Sequence, residues 1–176
     1  MNFSSTTSSS PSLLLSLDML LAGFGVAVPI WFFFIQSPAL MKVLGKEKFV
    51  PVMMGLTKVV FRVLFVVVTA NALLVGIGAY LSSSSAPTTA SLLSMLGAWI
   101  SVLANRFVVV PKALKAGAAS AKDRKGDHSR DVKEMAVSGG GKATTKTLHQ
   151  TVVLFTLLMV GALVAHVVTE LKSLSR

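Results

Sequence analysis

Four long runs of apolar residues, separated by short polar or basic segments, dominate the pattern along the chain. Each run is close to the ~20 residues that a helix needs to cross the hydrocarbon core of a bilayer. We therefore predict membrane-spanning helices over residues 13–35, 59–81, 90–110 and 150–168. Gln36, Ser37 and Pro38 are expected to end the first helix, and Pro111 the third, because proline disrupts helix interiors.

The connections between these runs predict the topology. The second and third runs are joined by a linker short enough to form an antiparallel helical hairpin. We expect an all-α fold, an integral membrane four-helix bundle with up-down-up-down order. Residues 13–176 would form a single transmembrane domain with a basic loop over 111–149, preceded by a Ser/Thr-rich tail over 1–12. That tail carries no charge, which predicts no cleavable targeting signal.

Composition agrees with a membrane protein. Hydrophobic residues make up 53% of the chain and charged residues 14%, against about 25% charged residues in soluble domains. There is no cysteine, which excludes disulfides and thiolate chemistry.

The basic residues are distributed unevenly between the two predicted sides. Of the 17 lysines and arginines, only Lys172 and Arg176 fall on the side of the chain termini. By the positive-inside rule, both long loops face the cytosol or the mitochondrial matrix, and both termini face the opposite compartment. Because the charges lie beside apolar spans, we expect contact with anionic lipid headgroups and not with nucleic acid. The expected contacts are Lys42, Lys46, Lys48, Arg62, Arg106 and Lys112.

Small residues recur at three-to-four spacing in three of the spans. Examples are Ala72 and Gly76 in the second, Ala98 and Ser101 in the third, and Gly161-xxx-Ala165 in the fourth. Such spacing lets helices approach closely in lipid. We expect these faces to pack within the bundle, with a partner subunit as the alternative.

The histidines do not suggest a metal or haem centre. His149 and His166 lie near opposite ends of the fourth span, about 25 Å apart along a helix. They are too distant to ligate one metal ion, and no second ligand at matching depth is evident. No motif places a base beside a nucleophile. We expect no cofactor and no enzymatic activity.

Polar residues inside predicted spans mark transport pathways more often than chance. Asn71 near mid-span could serve a pathway or bond to a neighbouring helix, and Arg106 is expected to extend to the basic interface. A transporter would need a water-accessible polar track through Asn71.

Asp18 stands out in an almost wholly apolar run. It lies about six residues into the first span, and His166 lies a few residues before the fourth span ends on the same side. Because the first and last helices of a closed ring are neighbours, we predict that Asp18 accepts a hydrogen bond from His166 inside the bundle. The alternatives are that Asp18 caps a later-starting helix at the headgroups, or that it meets a neighbouring subunit. A proton-handling role is not expected, since no continuing polar chain reaches the other face.

Three blocks of sequence resemble the transmembrane protein 205 family of small four-span membrane proteins. They are LGKEKFVPVMMGLTKVVFRV, ANRFVVVPKALKAGAASAKDRK and LHQTVVLFTLLMVGALVAHVV, at 44–63, 104–125 and 148–168. The matching positions are Asn105, Pro111, His149 and His166. Val110 stands where the family usually has an acidic residue, and Gln150 where it has glycine. The resemblance implies an association with vesicle membranes and drug resistance, and no defined chemistry.

These observations favour a non-catalytic accessory or structural subunit of a larger membrane complex, respiratory or similar. The partners would be anionic lipids and other membrane subunits, and the mitochondrial inner membrane is favoured over vesicle or plasma membranes. The alternative is a small-solute or ion transporter or channel.

Overall fold

Among the residues that the computed structural model describes, four helical segments are long and apolar enough to cross a membrane. They are Leu13–Gly45, Pro51–Tyr80, Thr89–Ala116 and Thr147–Ser173, and we call them spans 1 to 4. The structure describes residues 10–81, 87–116 and 139–175. Residues 1–9 of the tail and 117–138 of the basic loop lie outside the described residues.

Each of the four spans is longer than the apolar run that predicts it. Helix α1 covers Ser10–Ile30, α2 Ser37–Leu81, α3 Thr89–Leu103 and α4 Gly139–Leu174. The described parts of the predicted 111–149 loop are themselves helical, since the third span runs on to Ala116 and α4 begins at Gly139. These added turns are polar or basic, so a search for apolar runs alone does not find them.

Neither proline expected to end a helix does so, and that prediction is wrong at both places. α1 passes through π-helical residues Trp31–Gln36 into α2, and α3 passes through π-helical Ala104–Val109 towards Ala116. The residue before each proline bonds five residues back: Ser37 N–H to the Phe32 oxygen, and Val110 N–H to the Asn105 oxygen. Proline lacks a donor and clashes with the carbonyl four residues earlier. The wider π turn accommodates this loss without ending the helix.

The break between the first two spans falls at Gly45. Its φ of 67° and ψ of 165° are open almost exclusively to glycine. No other described residue has a positive φ. This glycine divides α2, so residues 37–44 continue the first span and the second begins at Pro51.

The four spans form a closed ring. α1 packs on α2, α2 on α3, α3 on α4, and α4 returns to α1. The fold is therefore the predicted all-α four-helix membrane bundle with up-down-up-down order. The core between the helices is built of fully or almost fully buried apolar side chains: Phe61, Leu64, Val68, Ala98, Val102, Met159 and Leu163.

The small residues divide between the inside and the outside of this ring. Ala98 and Ser101 are buried at helix contacts, as expected. At Gly25, an added Cβ would lie 2.8 Å from Leu163 Cδ1, which marks a close approach of α1 and α4. Gly76, Gly161 and Ala165 are exposed on the outer surface, so the expectation that they pack within the bundle is wrong for these three residues.

We predict that Gly45→Ala lowers the free energy of unfolding by about 1–3 kcal/mol, because alanine is strained at this φ and ψ. Gly55→Ala is the matched control: Gly55 lies within α2, and an added Cβ meets nothing within 4 Å. The control should be neutral or stabilising by about 0.5–1 kcal/mol. Denaturant unfolding in detergent micelles measures both, and equal effects would contradict the assignment of strain to Gly45.

Candidate functional site: a buried polar cluster

Polar side chains from all four helices meet inside the bundle, towards the end where α1 begins and α4 ends. They are Asp18 on α1, Asn71 on α2, Ser91 on α3, and His166 and Glu170 on α4; we call this group the His166 cluster. The first four are buried, and Glu170 is half-buried. His166 lies eight residues before Leu174, which places it about 12 Å inside the end of α4.

The hydrogen bond between Asp18 and His166 is present. Nε2 of His166 lies 3.0 Å from Oδ2 and 3.1 Å from Oδ1 of Asp18. Asp18 is 6% exposed and lies eight residues inside α1, which begins at Ser10. The alternative that Asp18 caps the start of its helix is therefore wrong. An intramembrane carboxylate is tolerated when a partner satisfies it, and His166 is that partner.

Asn71 gives Asp18 a second donor. With the amide nitrogen of Asn71 facing α1, it donates to Asp18 Oδ1 at 2.7 Å and to the Asp18 main-chain oxygen at 3.2 Å. We assign this orientation because the opposite one would set the amide oxygen against the carboxylate. Asn71 thus bonds a neighbouring helix, which was one of its two expected roles.

Ser91 joins the histidine to a second carboxylate. Its Oγ lies 2.9 Å from Nδ1 of His166 and also hydrogen-bonds Oε1 of Glu170. The position of Ser91 is set by Thr88, which caps α3 and accepts from the Ser91 N–H at 3.2 Å. His166 and Glu170 are four residues apart on α4, so both face the same side of that helix.

Sequence reasoning missed Ser91 and Glu170. Glu170 falls just beyond the predicted end of the fourth span at residue 168, so the apolar pattern places it outside the membrane. The spacing of four between His166 and Glu170 was the available signal, because it places both on one helix face. Ser91 carries no comparable signal, since serine is common at the start of helices.

A second, smaller polar contact lies nearer the opposite end of the bundle, where most of the basic residues are; we call this the basic end. Asn105, within the π-helical turn, donates to Thr156 Oγ1 at 3.2 Å and to the Val152 oxygen at 3.3 Å. Thr156 precedes His166 by ten residues, about 15 Å along α4. Met159 and Leu163 are fully buried in that interval. An apolar layer therefore separates the two polar regions.

The remaining predicted residues lie away from the cluster. His149 is exposed and Pro111 is half-buried. Of the expected lipid contacts, Arg106 is half-buried, with its guanidinium 5.5 Å from the Phe107 ring centre, and the side chain of Lys46 lies outside the described part. The exposed ones are Lys42, Lys48, Arg62 and Lys112. Among the described residues, no three His, Asp or Glu side chains form a group suited to a metal ion.

Four apolar spans around a buried polar centre define a multi-pass, all-α integral membrane protein. The chain belongs to the family described as "Domain of unknown function (DUF4149)", whose sequence pattern matches residues 20–122. This range contains Asn71, Ser91 and Asn105, whereas Asp18 and His166 fall outside it. No curated protein and no solved structure matches the chain.

We predict that Asp18→Leu destabilises the bundle more than Asp18→Asn. Leucine leaves the buried donors of His166 and Asn71 without an acceptor, at about 1–3 kcal/mol each, whereas asparagine keeps one oxygen for them. Thermal unfolding in detergent measures the difference. Equal losses for the two variants would show that the hydrogen bonds to Asp18 do not support the bundle.

Proposed function

We propose that this protein is a non-catalytic, membrane-embedded subunit of a larger membrane assembly. The observation that carries this proposal is an outward-facing pair of small residues, Gly161 and Ala165, on span 4. The side chains around them are large and exposed: Leu157, Leu158 and Val164 are 45–56% exposed. Large residues flanking a small-xxx-small pair form a surface on which a second helix can pack closely in lipid.

A neighbouring feature on α1 supports the same surface. Gly23 and Ala27 are also exposed and four residues apart. They line an apolar groove between α1 and α4, together with Val164. Two small-residue pairs on adjoining helices therefore border one continuous outer face. We infer that a transmembrane helix of a partner subunit covers this face.

The transporter alternative has less support. It requires a polar track through Asn71, and the amide of Asn71 is bonded to Asp18 in a buried position. Towards the basic end the next layer is apolar, with Leu64, Val68 and Leu163 buried. This arrangement supports a closed bundle that serves an assembly, and we propose no catalytic role.

The basic end supports a further part of the proposal, contact with anionic headgroups. Lys42, Lys48, Arg62 and Lys112 are exposed there, and each basic residue near an anionic surface contributes about 1 kcal/mol. Cardiolipin on a matrix-facing surface would suit this end, so we propose the mitochondrial inner membrane as host.

We also propose kinship with the transmembrane protein 205 family on the three sequence blocks, of which two overlap residues 20–122.

The subunit role is tested by purification in mild detergent. We expect the wild-type chain to migrate with other membrane proteins. The Gly161→Ile variant should migrate without them, because a branched side chain prevents the close approach of a second helix. Gly76→Ile is the matched control, since Gly76 is exposed on α2 and, as at Gly161, an added Cβ meets nothing within 4 Å. A wild-type chain that migrates alone, or equal losses in both variants, would contradict the proposal.

Lipid contact is tested by thermal unfolding with added lipid. We expect cardiolipin to raise the unfolding temperature more than phosphatidylcholine does. The triple variant Lys42→Gln, Lys48→Gln, Lys112→Gln should lose much of this difference, about 1 kcal/mol for each lysine. Lys172→Gln, at the opposite end of the bundle, is the control and should keep it. Equal stabilisation by the two lipids would contradict the proposed contact.

A further inference from the structure

An unbroken line of hydrogen bonds connects the interior of the bundle to its edge. It runs from Asp18 to His166, from His166 to Ser91, and from Ser91 to Glu170. His166 and Ser91 are completely buried, whereas Glu170 is half-buried in the last two turns of α4. Of the four residues in this line, Glu170 is therefore the one whose side chain is most exposed.

Two arrangements of the protons in this line are compatible with the same positions of the non-hydrogen atoms. Ser91 has one hydroxyl proton and two hydrogen-bonded neighbours, Nδ1 of His166 and Oε1 of Glu170. If Ser91 donates to Glu170, then Nδ1 must carry a proton and donate to Ser91. Since Nε2 also donates to Asp18, the histidine is then an imidazolium between two carboxylates.

In the second arrangement Ser91 donates to Nδ1, and Glu170 is a carboxylic acid that donates to Ser91. The first arrangement becomes the second when the Nδ1–H bond breaks and a new O–H bond forms on Ser91, while the original Ser91 proton passes to Glu170. Two protons move by one hydrogen bond each, and the total charge of the cluster is unchanged. No side chain has to rotate out of the bundle.

We propose that the His166 cluster is a proton-binding site, and that Glu170 and Ser91 connect it to the water at the end where the spans begin and finish. Before a proton binds, both carboxylates are ionised and Ser91 donates to the unprotonated Nδ1 of a neutral His166. A hydronium ion at the surface gives a proton to the Glu170 carboxylate and leaves as water, which forms the second arrangement. The same two proton transfers in reverse then convert it to the first arrangement, with the proton on His166. The cluster then carries one more positive charge. This activity goes beyond the proposed subunit role and does not depend on it.

Among the residues that the structure describes, the ionisable groups that contact the line come from two of the four helices. Asp18 on α1 and Glu170 on α4 are the carboxylates that bond to it. α2 contributes the amide of Asn71 and α3 the hydroxyl of Ser91, and neither ionises in this range of pH. On the basic side of the cluster lies the apolar layer around Leu163. Protons therefore enter and leave by the same route.

The test uses nuclear magnetic resonance of the full chain in lipid nanodiscs with ¹⁵N-labelled histidine. The chain has three histidines, and His128→Gln with His149→Gln leaves His166 as the single reporter. We expect its ring nitrogen signals to change between about pH 5 and about pH 9, the range that spans histidine protonation. Signals that stay constant over this range would overturn the proposal and leave the cluster a structural contact.

The route is tested by the exchange of the Nδ1 proton with water. Ser91→Ala and Glu170→Gln should each slow this exchange by about tenfold or more, the scale of losing one charge-assisted hydrogen bond. Ser94→Ala is the matched control, because Ser94 Oγ donates to the Ser91 main-chain oxygen and lies outside the line. Exchange at the wild-type rate or faster in the first two variants would overturn the route. If Ser91→Ala does not fold, Glu170→Gln at the half-buried end decides the question.

Discussion

The free-energy cost of an unpartnered polar group away from water governs how this bundle is arranged. A carboxylate on α1 must be satisfied where lipid offers no hydrogen bonds, so other helices have to supply the donors. His166 on α4 and Asn71 on α2 both bond to Asp18, and Ser91 on α3 bonds to the same histidine. Because each helix contributes at least one member, a rotation or vertical shift of any helix would break at least one of these bonds. The apolar core fills the remaining space, but it specifies rotation and depth less strictly than the polar cluster does.

Backbone geometry allows long helices to coexist with prolines. The two π-helical turns, Trp31–Gln36 and Ala104–Val109, each come just before the residue that precedes a proline. In the second turn the wider backbone also holds Asn105, which bonds to Thr156 on α4. π turns are frequent at functional positions, and here one of them positions a buried polar side chain.

The four-helix architecture and the hydrogen bond between Asp18 and His166 could be predicted from the sequence, because each depends on a clear sequence pattern. The apolar runs gave the four spans, and the similar depths of Asp18 and His166 in neighbouring helices gave their hydrogen bond. The helix ends could not be predicted, because residue type alone does not tell whether a proline breaks a helix or is accommodated by a π turn. The outward orientation of Gly161 was missed for a different reason. Small-residue spacing identifies a helix face, but it does not say whether that face points into the ring or away from it.

The distance along the chain between Asp18 and His166 also affects how the protein is made. The two residues are separated by 148 positions, so ribosomes adding about 5–20 residues per second deliver the histidine roughly seven to thirty seconds after the carboxylate. During that interval the first span stays in the membrane with its acidic group short of its main donor. A nascent chain that stops before the last helix lacks the donor that His166 supplies to Asp18. The cluster can therefore be completed only after α4 has been synthesised, because the histidine that bonds to Asp18 lies on that last helix.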